Sequence, residues 1–296
     1  MFMNSSVMII KAGTVELEIC KLDLDVDTQN AICSSFTSAV EEMRKGKTKV
    51  LFDGNYKPHD DEYLAIENFQ MNDEIKKAVR NPMGIPSFIK EGEKFPDIKA
   101  IFVGERDETG ETEKFTIAFQ RFRKEQYISP VKWYNLFYSN DTFVHEKRFG
   151  ISVSDMTDCC FDSNELQFIS YYFARQVFDL SDYYRSASYP EVQNFAANDK
   201  LAIEDTSSFL GMANSWIRRK IALINDSGVL DNYTAAKIKS LGNAAGIDIV
   251  VKNKKVVIPS DKDMLKVILG FLDEEAYKGP FSQTTYLANS KRKVSM

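Results

Sequence analysis

Apolar and polar residues alternate along residues 15–24, where Val15, Leu17 and Ile19 are set against Glu16, Glu18 and Lys21. That is the period of a half-buried strand. The period then lengthens: Ile32, Phe36, Val40 and Met43 recur at helical spacing, with Asp27 or Thr28 as N-cap and Gly46 as a left-handed end. Residues 50–52 and 63–69 read as strands. A short helix is expected from Asn72 up to Asn81-Pro82, because proline disfavours helical geometry in the residue ahead of it. Pro82, Gly84, Pro86, Gly92 and Pro96 make 82–97 a loop. Residues 100–104 and 115–122 predict an antiparallel hairpin across a long polar connection, and further strands are expected at 142–148, 151–153, 159–161 and 166–169. Turn chemistry is assigned to 135–140 and 162–164.

The last third is more strongly helical. Thr206 is expected to cap one helix carrying Phe209, Met212, Ala213, Trp216, Leu223 and Ile224 on a broad face. At about 100° per residue, Arg218 falls opposite that face, Arg219 on its flank and Lys220 towards the apolar side. A second helix over 232–245 would bury Thr234, Ile238, Leu241 and Ala245 and close at Gly246. Residues 247–251 and 256–258 then flank Lys252-Asn253-Lys254-Lys255, a hairpin with a basic tip. A third helix, capped by Ser260 or Asp261, precedes the Gly279-Pro280 break and a last strand at 284–287. The expected fold class is α+β: a mainly antiparallel sheet with helices, followed by a helix-rich C-terminal part containing a β-hairpin. The expected domains are 1–190 and 191–296.

Composition narrows the classes. The chain has 296 residues, 44% hydrophobic and 27% charged, which excludes a disordered or low-complexity chain. No run approaches the ~18 uncharged apolar residues needed to cross a bilayer. Met1 to Lys11 has no basic n-region or small-residue cleavage site, so no signal peptide is read. Four cysteines without a C-x-x-C pair then point to reduced, buried thiols in a cytoplasm. Charge is uneven. The net charge is −5, yet residues 200–296 hold 15 Lys and Arg against 10 Asp and Glu, leaving the preceding residues with 23 against 33. An acidic body with a basic third suits a chain that meets a polyanion at one end.

A search for chemistry finds neither G-x-x-x-x-G-K-[ST] nor G-x-G-x-x-G, so no phosphate loop is expected. With two histidines, no His or Cys stands at metal-ligand spacing. Asp23, Asp25 and Asp27 fail as a calcium loop, since Thr28 and Ser34 occupy the places of the glycine and the bidentate glutamate. No catalytic residue, metal or cofactor is therefore assigned. The best carboxylates for an alternative reading as a metal-dependent nuclease are Glu16 and Glu18 near Lys21. The basic residues have the stronger claim, as phosphate-binding groups that need no base contact: Arg218, Arg219, Lys237, Lys239, Lys252, Lys254, Lys255, Lys291, Arg292 and Lys293. A helix followed by a lysine-tipped hairpin has the order of a winged-helix arrangement. Arg44, Lys45, Lys47 and Lys49 are read as complementing a helix C-terminus. A third reading makes the aromatic-rich 168–184 a docking segment for a protein partner.

The runs 115–122 (FTIAFQRF), 149–151, 158–161 and 166–178, ending in 286–294 (YLANSKRKV), resemble the B subunit of the Kiwa anti-phage defence system. The likeness is an order of segments over residues 100–294, and N-S-K-R at 289–292 is its most distinctive piece. The resemblance implies a non-enzymatic cytoplasmic effector that self-associates, as a dimer, and is recruited to the inner face of the membrane by the membrane-spanning Kiwa A subunit. It further implies DNA binding of low sequence specificity that hinders replication and transcription of phage DNA. The acidic net charge departs from that picture: binding requires the basic stretches to gather on one surface.

Overall fold

The computed structural model describes residues 1–296 except 4, 14, 15, 53, 55, 90–94, 111, 112, 131–133, 289, 290 and 292–296. The chain is mixed α+β and divides into two units. One is Met1–Phe52 with Pro58–Leu180, the other Asp53–Lys57 with Ser181–Met296. The change expected at residue 190 thus lies at 180, and a short early segment joins the later unit. Among the described residues, no helix is long and apolar enough to cross a membrane.

The first unit contains β1 (Met8–Lys11), β2 (Ile19–Lys21), α1 (Val26–Arg44), β3 (Thr48–Leu51), β4 (Glu62–Ile66), α2 (Asp73–Arg80), β5 (Ile98–Asp107) and β6 (Lys114–Arg121). It continues through β7 (Tyr127–Ile128), β8 (Asn135–Ser139), β9 (Thr142–Glu146), β10 (Gly150–Ile151), β11 (Cys159–Asp162), β12 (Glu165–Phe168) and α3 (Tyr171–Val177). Eight strands form one sheet in the order β2-β1-β5-β6-β11-β12-β4-β3. Its pairs are antiparallel except β3 with β4. Strand alternation sorts the side chains into two layers. Ile9, Ile101, Val103, Ala118 and Cys160 face Cys33, Phe36, Val40 and Met43 of α1 in one core cluster. The opposite pleat carries Phe102 stacked on Phe119 at 5.5 Å, with Phe178 edge-on to Phe119 at 4.8 Å. There α2 and α3 pack on β5 and β6.

Two local expectations are corrected. The cap of α1 is Asp25, whose carboxylate accepts from the Thr28 N–H at 2.9 Å and its hydroxyl at 2.7 Å. Asp27 and Thr28 are already inside the helix. Residues 135–140 are not a turn: Leu136, Phe137 and Tyr138 extend as β8, and the turn contracts to Asn140-Asp141, both at positive φ. Two-residue loops of that conformation match the twist of paired strands, so β8 and β9 form a tight hairpin.

The second unit contains α4 (Tyr189–Ala196), β13 (Leu201–Ile203), α5 (Thr206–Met212), α6 (Ser215–Ser227), α7 (Val229–Asn232) and α8 (Ala235–Ala244). There follow β14 (Val251–Lys252), β15 (Lys255–Ile258), α9 (Lys262–Leu272), β16 (Ala276–Lys278) and β17 (Thr285–Leu287). One core joins Val192, Phe209, Ile217, Ile221, Ile238, Val256, Leu265 and Leu269. The single helix expected from Thr206 is two. Asn214 takes an extended conformation and its side chain accepts from the Ile217 N–H at 3.1 Å, so a local cap replaces one helical turn. Phe209 and Ile217 therefore belong to different helices.

Candidate nucleic-acid interface

Thr234 caps α8 by accepting from the Lys237 N–H at 3.3 Å. Ala235 and Ile238 then turn into the core, and α8 packs against β14 and β15. Gly242, not the expected Leu241, faces the hairpin: a Cβ there would collide with Ile249 Cγ1 and lie 3.1 Å from the Ile247 carbonyl. Lys237 and Lys239 flank Ile238 on opposite sides of the helix, and both are exposed.

Hairpin pairing sets Val251 against Val256 and Lys252 against Lys255. The buried valine fixes which pleat faces the core, so the two lysines share the other. Asn253 and Lys254 form the turn at φ of 51° and 63°. Glycine takes this second position without strain, whereas a residue with a Cβ costs about 1–2 kcal/mol in left-handed backbone. Lysine stands there nonetheless. Like charges directly across a strand pair also disfavour pairing. The carboxylate nearest this set among the described ion pairs is Glu204, 3.6 Å from Lys252. From residue 234 to 259 there are five lysines and one acidic residue, Asp248.

A residue absent from the sequence reading joins them. Thr285 of β17 donates to the Ala245 carbonyl at 3.0 Å, so the β16–β17 hairpin abuts the end of α8 and adds exposed Lys278. Lys278 is isolated in sequence, and only this packing reveals its neighbours.

No family model, curated protein or solved structure matches the chain. The local geometry is therefore the guide to chemistry.

Three other candidate cations have partners within the fold. Arg218 donates through Nε to the Ala187 carbonyl at 2.7 Å. Arg219 is buried, with its guanidinium 3.8 Å from the centre of the Tyr184 ring. Lys291 holds the Asp273 carboxylate at 2.9 Å. Arg219 is thus interior, while Arg218 and Lys291 are half-buried and each already holds an internal partner. Arg292 and Lys293 lie outside the described residues. What the structure brings together is Lys252, Lys254 and Lys255 at one turn, with Lys278 beside the end of α8, the helix that carries Lys237 and Lys239.

The remaining candidates disperse. Glu18 pairs with Lys11 at 3.1 Å and Lys21 with Asp23 at 3.3 Å, separate ion pairs rather than one cluster. Among the described residues, no group of three His, Cys, Asp or Glu side chains stands ready to hold a metal ion. The four thiols are buried, and burial pushes Cys160 up to about 12. In the aromatic segment 168–184, Phe168 is buried and meets Phe52 edge-on at 5.5 Å, and Phe178 meets Phe69 at 5.3 Å, while Ile169 and Tyr172 are exposed.

Proposed function

We propose that this chain is an anti-phage defence effector that binds duplex DNA with little sequence preference through α8 and the β14–β15 and β16–β17 hairpins. In this reading it works as the Kiwa B subunit does: cytoplasmic, self-associated, drawn to the inner membrane face by the membrane-spanning A subunit, and obstructing replication and transcription of phage DNA. The observation that supports DNA binding is the β14–β15 turn. Three lysines crowd four residues there and two face each other across the strands, a repulsion that a phosphate anion relieves. Contacts of this kind position a duplex without reading its bases.

Binding of long duplex DNA, measured against salt, tests the reading. Each neutralised phosphate adds about −0.9 to the log–log slope, so the K252E/K254E/K255E variant should flatten it by roughly 3 on every sequence tried. The K254G variant separates function from folding. It relieves the turn, so thermal stability should hold or rise while affinity falls. Wild-type protein with no salt-sensitive shift, alone or with the A subunit, refutes the proposal.

A further inference from the structure

The β8–β9 hairpin exposes large apolar side chains on both pleats. Leu136, Tyr138 and Phe143 share one face, Phe137 and Val144 the other, and Tyr134 precedes them; these six are 49% to 84% exposed. Fully exposed aromatics each present ~200 Å², so the set leaves roughly 700 Å² of apolar surface uncovered, divided between the two pleats. A two-stranded ribbon is also marginal in water unless further strands or a packed face support it.

We infer that β8 pairs antiparallel with β8 of a second copy of this chain, about a two-fold axis at Phe137. The charge pattern selects that occupant. Around a two-fold axis each residue meets itself or its symmetric neighbour, so any charge would face its like. Across Asn135–Ser139 there is no charged residue, proline or glycine, whereas β9 carries His145 and Glu146. Solvent-facing edge strands are ordinarily guarded by lysine, proline or a bulge, and β8 has none of these. Its outer edge pairs with no other strand among the described residues. Pairing builds a four-stranded sheet, β9-β8-β8-β9. Leu136 of one copy then lies beside Tyr138 of the other, and the two Phe137 side chains meet on the opposite face. The inference supplies a surface for the self-association in the proposed function and does not depend on DNA binding.

Sedimentation of the full chain across micromolar concentrations tests it, with Phe137→Lys placing two ammonium groups at the axis. Wild type should sediment as a dimer, and F137K should self-associate about 100-fold more weakly, the scale of a hot spot. F137C guards against a folding defect in the lysine variant. Paired residues in antiparallel strands sit about 4.5–5.5 Å apart at Cα, within disulfide reach, so oxidation should give a covalent dimer. M83C, also exposed but in the 3-10 turn Pro82–Gly84 after α2, should not. The native cysteines are buried and leave the readout clean. A wild type that stays monomeric, an F137K that stays dimeric, or a monomer that floats with lipid vesicles through these side chains overturns the inference. DNA binding is measured on the same samples: its absence in a wild-type dimer sinks the proposed function and leaves this pairing standing.

Discussion

Replacing Lys220 by methionine should destabilise the second unit by about 3 kcal/mol, at the lower end of the ~3–5 kcal/mol for removing one partner of a buried ion pair. Lys220 is 4% exposed; its ammonium lies 2.6 Å from Asp273 and also contacts Glu275, which are themselves 5% and 7% exposed. Methionine fills a similar volume, so the loss is electrostatic rather than a cavity. Removing the ammonium strands net negative charge in the interior, because among the described ion pairs the two carboxylates are then left with Lys291 alone, on Asp273. That lysine still holds Asp273, which places the expectation low in the range. Balance predicts a partial rescue: K220M/E275Q leaves the Asp273–Lys291 pair neutral and should recover more than half of the loss. Urea unfolding followed by Trp216 fluorescence suits the measurement, since that indole sits 5.6 Å from the Lys220 ammonium. A W133F background removes the other tryptophan. A loss below about 1 kcal/mol, or a double variant no more stable than K220M, refutes the argument.

Three further outcomes follow from the same geometry. Gly242→Ala forces the α8 backbone away from Ile249, so stability should fall by about 1–3 kcal/mol and DNA affinity should fall with it, read by urea unfolding and by gel shift. Burial raises the Cys33, Cys159 and Cys160 thiols, so a thiol reagent at pH 8 should label the native chain negligibly and all four cysteines once it is unfolded, counted by mass. Arg185, then the Ser188 N–H and hydroxyl, hold the Glu191 carboxyl at about 2 against its ordinary 4.5. The stabilisation is complete above pH 4.5 and lost as pH falls towards 2, so melting temperatures of wild type and E191Q should converge across that window.

Most of the fold was legible because local rules and tertiary packing agree. Gly46 and Gly228 end α1 and α6 in left-handed backbone, Asn72 caps α2, and Cys33 to Met43 form one buried stripe. Legibility failed where a side chain had two competing uses. Asn214 falls within a predicted helix and acts as the cap of α6; Asn135 falls within a predicted turn and opens an aromatic strand, while Asn140 does lie in the turn. The basic residues failed for a different reason. Sequence shows charge but not what lies opposite it, and the carboxylates that absorb Lys220 and Lys291 are Asp273 and Glu275, far along the chain from Lys220. Lysines 252, 254 and 255 were legible as a group because a two-residue turn holds them together without help from distant partners.

Net charge and local charge then make opposite demands on a ligand as large as DNA. The chain is −5 overall, while residues 234–259 carry four more lysines than acids. Fields reach about 8 Å at physiological salt and about 30 Å at 0.01 M. Near physiological salt a phosphate at the turn therefore feels the lysines and little else. As salt is withdrawn, acidic residues of the same unit, such as exposed Asp205 and Glu274, come within range of the same DNA and repel it. The log–log plot of affinity should thus be straight at moderate salt and flatten below about 0.05 M, instead of climbing without limit as for a uniformly basic ligand. Neutralising acidic residues of the second unit that are distant from the turn in sequence, such as exposed Asp205 and Glu274, should restore the missing rise at low salt and leave the moderate-salt slope unchanged. A plot that stays straight throughout would mean that the acidic surface never approaches the duplex, and one that steepens would mean that cations beyond the turn and α8 dominate binding.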